Sequence, residues 1–216
     1  MEYGSAAWIH TRIAPVIRRT RRQLCAALRR ALPHLAWRWH GIGCLQAYLR
    51  EGSDYETRVH IWHPSLVRPG IKEQGDAHSH RFRLESTVLC GSIVHMEYQD
   101  QGDNGLGERY DHFVVDHART GNHFTMVDTG VTSIYRKFAA DIPAGLTYTF
   151  AKGAFHRSSA QALTVTIVNK LRQSNTQARI LVKHGAKPVP AFQPDDKIDM
   201  RPYIKEATTK LFGASA

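Results

Sequence analysis

Nowhere in the 216 residues do eighteen apolar side chains run together, which argues against a membrane-crossing helix. The beginning also lacks the basic-then-apolar layout and small-residue cleavage site of a secretory leader. Cysteine is scarce. Cys25, Cys44 and Cys90 are odd in number and show no CxxC spacing, which excludes a disulfide framework and a thiolate zinc site and fits a reducing cytoplasm. Acid is nearly missing from the first fifty residues, where nine arginines face the single acid Glu2. The formal charge of +10 therefore belongs mostly to that segment, because the remainder balances to +2. A basic body built to track nucleic acid is thus not expected. No internal repeat and no low-complexity tract is evident.

The chain is long enough for one domain with a substantial core. Residues 8–36 read as a helix. Ile9, Ile13, Val16, Ile17, Leu24, Leu28, Leu32 and Leu35 recur at three, four or seven and form one apolar stripe, with most arginines off it. Pro15 interrupts an early turn and Pro33 ends the main run. A second short helical stretch is expected near Gly43 to Leu49. The stripe suits covering the body or pairing two copies into a homodimer, rather than binding nucleic acid.

From Tyr55 the period changes to two. YETRVHIWH alternates and is rich in β-branched and aromatic residues, the pattern of a half-buried strand. Further short runs follow, among them RLESTVLC, SIVHMEYQ, HFTMVDTG, SIYRKFAA and ALTVTIVN, separated by turns at 100–108, 118–122 and 142–145. Many short strands without intervening helices imply an all-β sandwich or small barrel. The organisation expected is a basic helical arm over 1–50, a β body over 51–185 and an irregular tail over 186–216, with a short helix from Pro202 to Phe212.

Histidines carry the chemistry. In GDAHSHRFRLESTVLCG, residues 75–91, His78 and His80 share one face of a strand. Glu85 stands an odd number of positions away and needs a bulge to join them. Two imidazoles grip a divalent cation weakly, so a third ligand is expected from a distant segment. In GLTYTFAKGAFHRSSA, residues 145–160, Gly153 permits a tight positive-φ turn that places His156 at the start of the next strand.

These two stretches resemble the two motifs of the cupin superfamily. Gly75, His78, His80, Glu85 and Gly91 match the first; Gly145, Ala151, Gly153 and His156 match the second. The chain departs from the pattern where Gly75 sits close to His78, where Ala151 replaces a proline and where Ala160 stands for an asparagine. The resemblance covers roughly residues 55–185. It implies a jelly-roll β-barrel, the double-stranded β-helix, holding a divalent metal through His78, His80 and His156, with Glu85 as a further candidate. Fe(II) is the foremost metal, and Mn, Ni, Cu and Zn suit the same donors. The activity it implies is that of a mononuclear non-haem dioxygenase acting on a small polar molecule such as an amino acid or thiol. The alternatives are a metal-dependent isomerase or lyase, or a small-ligand-binding cupin without catalysis. Tyr135, Tyr148 and Arg83 are the candidates for holding substrate or oxygen, with His95 also mid-strand. Alternation takes Arg81 and Arg83 off the His78 face unless a bulge intervenes. Trp62 and His60 are candidates for a pocket wall.

Overall fold

The computed structural model describes residues 26–51, 55–71, 77–117, 124–171, 177–186 and 198–213. Twelve strands are present in this part of the chain: β1 (Arg38–His40), β2 (Ile42–Glu51), β3 (Tyr55–Val67), β4 (Ala77–Ser79), β5 (Arg83–Cys90), β6 (Ser92–Asp100), β7 (Glu108–His117), β8 (Phe124–Pro143), β9 (Thr147–Phe150), β10 (Phe155–Ser159), β11 (Thr164–Leu171) and β12 (Ala178–Lys183). They form two groups, both antiparallel. One is a six-stranded sheet in the order β1-β2-β3-β11-β5-β9. The other closes on itself in the order β10-β4-β12-β7-β8-β6.

Period two in the sequence becomes two faces of the six-stranded sheet. Val165 lies beside Ile61, and Ile167 beside Val59. With Leu45, Ala47 and Leu89 these form an apolar surface packed under Leu28, Leu32 and Ala207. Ala207 belongs to α1 (Arg201–Phe212), the one helix in the tail among the described residues. Burial of each large side chain here contributes roughly 1.5–3 kcal/mol. The alternate residues, Glu56, Arg58, His60 and Trp62 on β3, point the other way, into the interior between the sheets.

Several expectations change. Gly43 to Leu49 is strand, not helix: these residues form most of β2 and pair with β3. β-branching is sparse there, but antiparallel pairing beside β3 satisfies the backbone and buries Leu45 and Ala47. Residues 38–50, assigned to the helical arm, instead begin the sheet. The arm is described only from residue 26, helical over 26–31 and then a 3-10 turn, Leu32–His34, that contains Pro33. The rest of the arm, with Cys25, lies outside the described residues, as do Gly75 and 187–197 of the tail. HFTMVDTG and SIYRKFAA, read as separate strands, are one continuous β8. Pro64 is tolerated inside β3 because the β2–β3 register shifts between Ile42 and Cys44 beside it. No helix among the described residues is long and apolar enough to cross a membrane.

Gly91 joins β5 to β6 with φ of 76°. A Cβ placed there would lie 2.7 Å from the Leu163 carbonyl oxygen and would press on Thr164, whose hydroxyl donates to Ser92 O at 2.9 Å. We therefore expect Gly91→Ala to destabilise the fold by about 2 kcal/mol or more. Urea unfolding checks this as a lower midpoint with an unchanged slope.

Candidate metal centre

His78 lies on β4, His80 directly follows that strand, and His156 is the second residue of β10. The antiparallel bridge between β4 and β10 pairs His78 with His156, which brings together residues seventy-eight positions apart by count on one interior face. Ring centroids are 4.8 Å apart for His78 and His80, 4.6 Å for His78 and His156, and 5.0 Å for His80 and His156. One ring nitrogen from each lies within 4.8 Å of the others. Donors about 2.1 Å from one cation stand roughly 3 to 3.5 Å apart, so small side-chain adjustments complete the grip.

The backbone holds this arrangement. Gly153, at φ 75°, turns the chain so that its N–H donates to His80 O at 2.9 Å. Arg179 Nη2 donates to Gly153 O at 2.8 Å, and its backbone N–H donates to Ser79 Oγ at 3.2 Å. His156 Nδ1 faces Ala154 O at 3.4 Å. A carbonyl only accepts, so the proton belongs on Nδ1 and Nε2 is left as the donor atom for a cation. Burial holds His80 and His156 well below the usual imidazole range, and neighbouring imidazoles push them further down. Neutral imidazole is the form that ligates a metal. Donor type and count, together with the His156 tautomer, thus fit a divalent cation.

Around the triad the interior is aromatic and polar. Phe150 on β9 is 4.2 Å from the His156 ring. His95 is buried 5.6 Å from His156 and 4.9 Å from the Tyr148 ring. Its Nδ1 meets Ser158 Oγ at 3.0 Å and its Nε2 meets Glu97 Oε1 at 3.4 Å. That hydrogen bond from His95 is the main influence lowering the Glu97 carboxyl below its ordinary range. Glu97 stands opposite His156 across the β6–β10 ladder. Tyr148 is raised above its usual range by burial, with hydrogen bonds to Ser86 and Ser158 opposing.

Of the residues singled out from sequence, His78, His80, His156, His95 and Tyr148 are brought together. Three others are not. Glu85 stands opposite Asn169 and Thr149, on the outer face with Ile167 and Val59, and its Oε1 accepts from Asn169 Nδ2 at 3.4 Å. Regular alternation from Leu84 onward puts Leu84 and Ser86 inside and Glu85 outside, so the bulge that would turn it inward is absent from β5's first half. Arg83 shares the Glu85 face and is exposed. Tyr135 is 43 % exposed on β8 and donates to Gln99 Oε1 at 2.7 Å. Sequence reasoning overlooked Glu97, Glu56, Arg58 and Lys170. The signal was there in YETRVHIWH, where charged residues take the same alternate positions as His60 and Trp62.

No family model matches the chain, and no curated protein matches it. Among solved structures it is similar to an RmlC-like cupin from Shewanella frigidimarina, at 10% identity and TM-score 0.37, covering 66% of this chain and 88% of that one. It is also similar to KdgF from Halomonas sp., at 10% identity and TM-score 0.35, covering 64% and 88%. A hydroquinone 1,2-dioxygenase, PnpCD, shares 10% identity at TM-score 0.34, covering 58% of this chain and 63% of that one. Both motif histidine sets converge inside a β-barrel, in the order the sequence resemblance requires. The fold is all-β, a closed antiparallel barrel beside a six-stranded sheet, as the sequence resemblance implies.

The interior also holds His60, whose ring sits edge-on to Trp62 at 5.8 Å. Burial lowers His60 to about 3, helped by Arg58 and Lys170. A folded-state pKa below the unfolded 6.5 means that acid protonates the unfolded chain first. Stability is full above 6.5 and is lost as pH falls from 6.5 toward 3. We expect His60→Gln to flatten that acid loss by about 1.4 kcal/mol per pH unit in the window. Denaturation of metal-free protein between pH 7 and 4.5 checks it.

Proposed function

We propose that this cupin is a mononuclear metal-dependent enzyme, foremost an Fe(II) dioxygenase acting on a small polar molecule. The convergence of three imidazoles on one interior face carries this reading. Three protein donors leave coordination positions open for substrate and oxygen, and imidazole donors suit iron among the first-row metals. Iron held there would supply a Lewis acid with accessible redox chemistry.

The chain's own residues define the rest. Phe150, packed with Leu84 and Val168, sets an apolar ring against His156. Tyr148 offers a protonated phenol beside His95, suited to hold a polar group of the substrate by hydrogen bonding. The His95–Glu97 contact favours a second reading, a metal-dependent isomerase or lyase, because it supplies a proton acceptor close to the ligands. Oxygen dependence separates the two. A dioxygenase stops under strict anaerobiosis, whereas an isomerase or lyase continues.

Elemental analysis of tag-free protein should find about one divalent metal per chain, and chelation should lower the melting temperature. His156→Ala should weaken metal binding by more than the about 10–100-fold typical of losing an outer partner. Glu85→Gln should leave the metal content unchanged. Full occupancy in His156→Ala would overturn the three-histidine site.

A further inference from the structure

Three adjacent strands set a cross-strand row on the face that carries the triad. β10 pairs with β4 on one side and with β6 on the other. His156 therefore stands opposite His78 in one ladder and opposite Glu97 in the next. Residues directly opposite one another share a face, with Cβ atoms about 4.5–5.5 Å apart. On the β4 side that spacing brings the two imidazole rings to 4.6 Å. The relation that makes His78 a partner of His156 thus holds for Glu97 as well.

The register at this point is unambiguous. β6 and β10 pair without interruption from Tyr98 opposite Phe155 to Val94 opposite Ser159. Ile93 and His95, four and two positions before Glu97, are buried on the same side of β6. The β6–β8 ladder shifts only beyond Glu97. Glu85, the carboxylate nearer the histidine pair in sequence, lies on the other face of its own sheet and has no such place.

The Glu97 carboxylate is loosely held. Its one hydrogen-bonding partner among the described residues is His95, whose Nε2 lies 3.4 Å from Oε1, a long contact that is cheap to give up. His95 keeps its place without it, because its Nδ1 meets Ser158 Oγ at 3.0 Å. The Glu97 side chain is 28% exposed, so it has room to turn. Charge supplies the reason to turn. Imidazoles bring no negative charge, and a dication held by three of them alone keeps its full charge in a low-dielectric interior.

We propose that Glu97 is a fourth protein donor to the metal: on loading, its carboxylate leaves His95 Nε2 and takes a coordination position beside His156. The proposal rests on the three-histidine centre and adds a ligand from a strand outside both sequence motifs. In the structure the carboxylate leans on His95, outside the group of three nitrogens within 4.8 Å of one another, so one side-chain rotation is required. An octahedral shell with this donor added still has open positions for small molecules.

Zn(II) titration of the full chain against a chromophoric chelator, with the visible spectrum of the Co(II) form as a second readout, tests it. Glu97→Gln weakens Zn(II) binding by at least about tenfold and shifts the Co(II) bands. Glu97→Asp keeps the charge but falls one methylene short, and it weakens binding by a similar factor. Glu85→Gln leaves both readouts unchanged. A smaller loss in either Glu97 variant, or an unchanged Co(II) spectrum in Glu97→Gln, overturns the fourth donor; full affinity in Glu97→Asp reduces the carboxylate to a nearby charge. Where the variants fail to fold, the unaltered chain decides. With carbon-13 in its glutamate carboxyls, Zn(II) moves the Glu97 resonance, and a stationary resonance overturns the proposal. A wild-type chain that takes up no Zn(II) defeats the three-histidine centre and this inference together. Equal Zn(II) binding by wild type and Glu97→Gln defeats this inference alone.

Discussion

A single antiparallel bridge, His78 opposite His156, is the constraint on which the interior depends. Strand alternation then sends both side chains to one side, and His80 follows two residues later with its carbonyl held by the Gly153 N–H. A slip of one residue in that bridge would turn His156 toward the opposite face and leave two ligands, too few to retain a cation. The register is defended by packing on either side of the histidine. Phe155 is fully buried one residue before it, with the Arg179 guanidinium 4.3 Å above its ring. A slipped strand would expose Phe155 and bury charge, so the cost falls on the wrong register.

The six-stranded sheet solves a different problem with the same alternation. One face is apolar and covered by helix, which anchors the sheet through Val59, Ile61, Val165 and Ile167. The other face carries Glu56, Arg58, His60 and Lys170 into the interior. A hydrophobic set of similar volume would stabilise the fold as well or better, since desolvating charges costs several kcal/mol each. Here the charges answer one another, with Glu56 ion-paired to both Arg58 and Lys170. The interior divides accordingly, with apolar Leu84, Phe150 and Val168 on one flank and a charged flank around β3.

Much of this architecture was legible from residue pattern. Alternation in YETRVHIWH, the positive-φ turn at Gly153, the His-x-His pair and the short tail helix expected from Pro202 to Phe212 all express local rules. Illegible parts share a reason. Gly43 to Leu49 lacks a strong strand composition and is extended only because β3 offers a partner. Glu85, Arg83 and Tyr135 have the right chemistry for a site, but the face each occupies is set by ladder register and not by residue type.

Sequence alone determined the class of fold and the identity of the three histidines, because strand period, glycine turns and donor chemistry are local properties. Tertiary structure decided which groups share the interior with them. Pairing of β3 with β11 brings Glu56 beside Lys170 across more than a hundred residues, and pairing of β6 with β10 brings His95 and Glu97 beside His156. Such neighbours arise from non-local hydrogen-bond ladders, whose registers depend on the burial of the whole barrel and on no single segment.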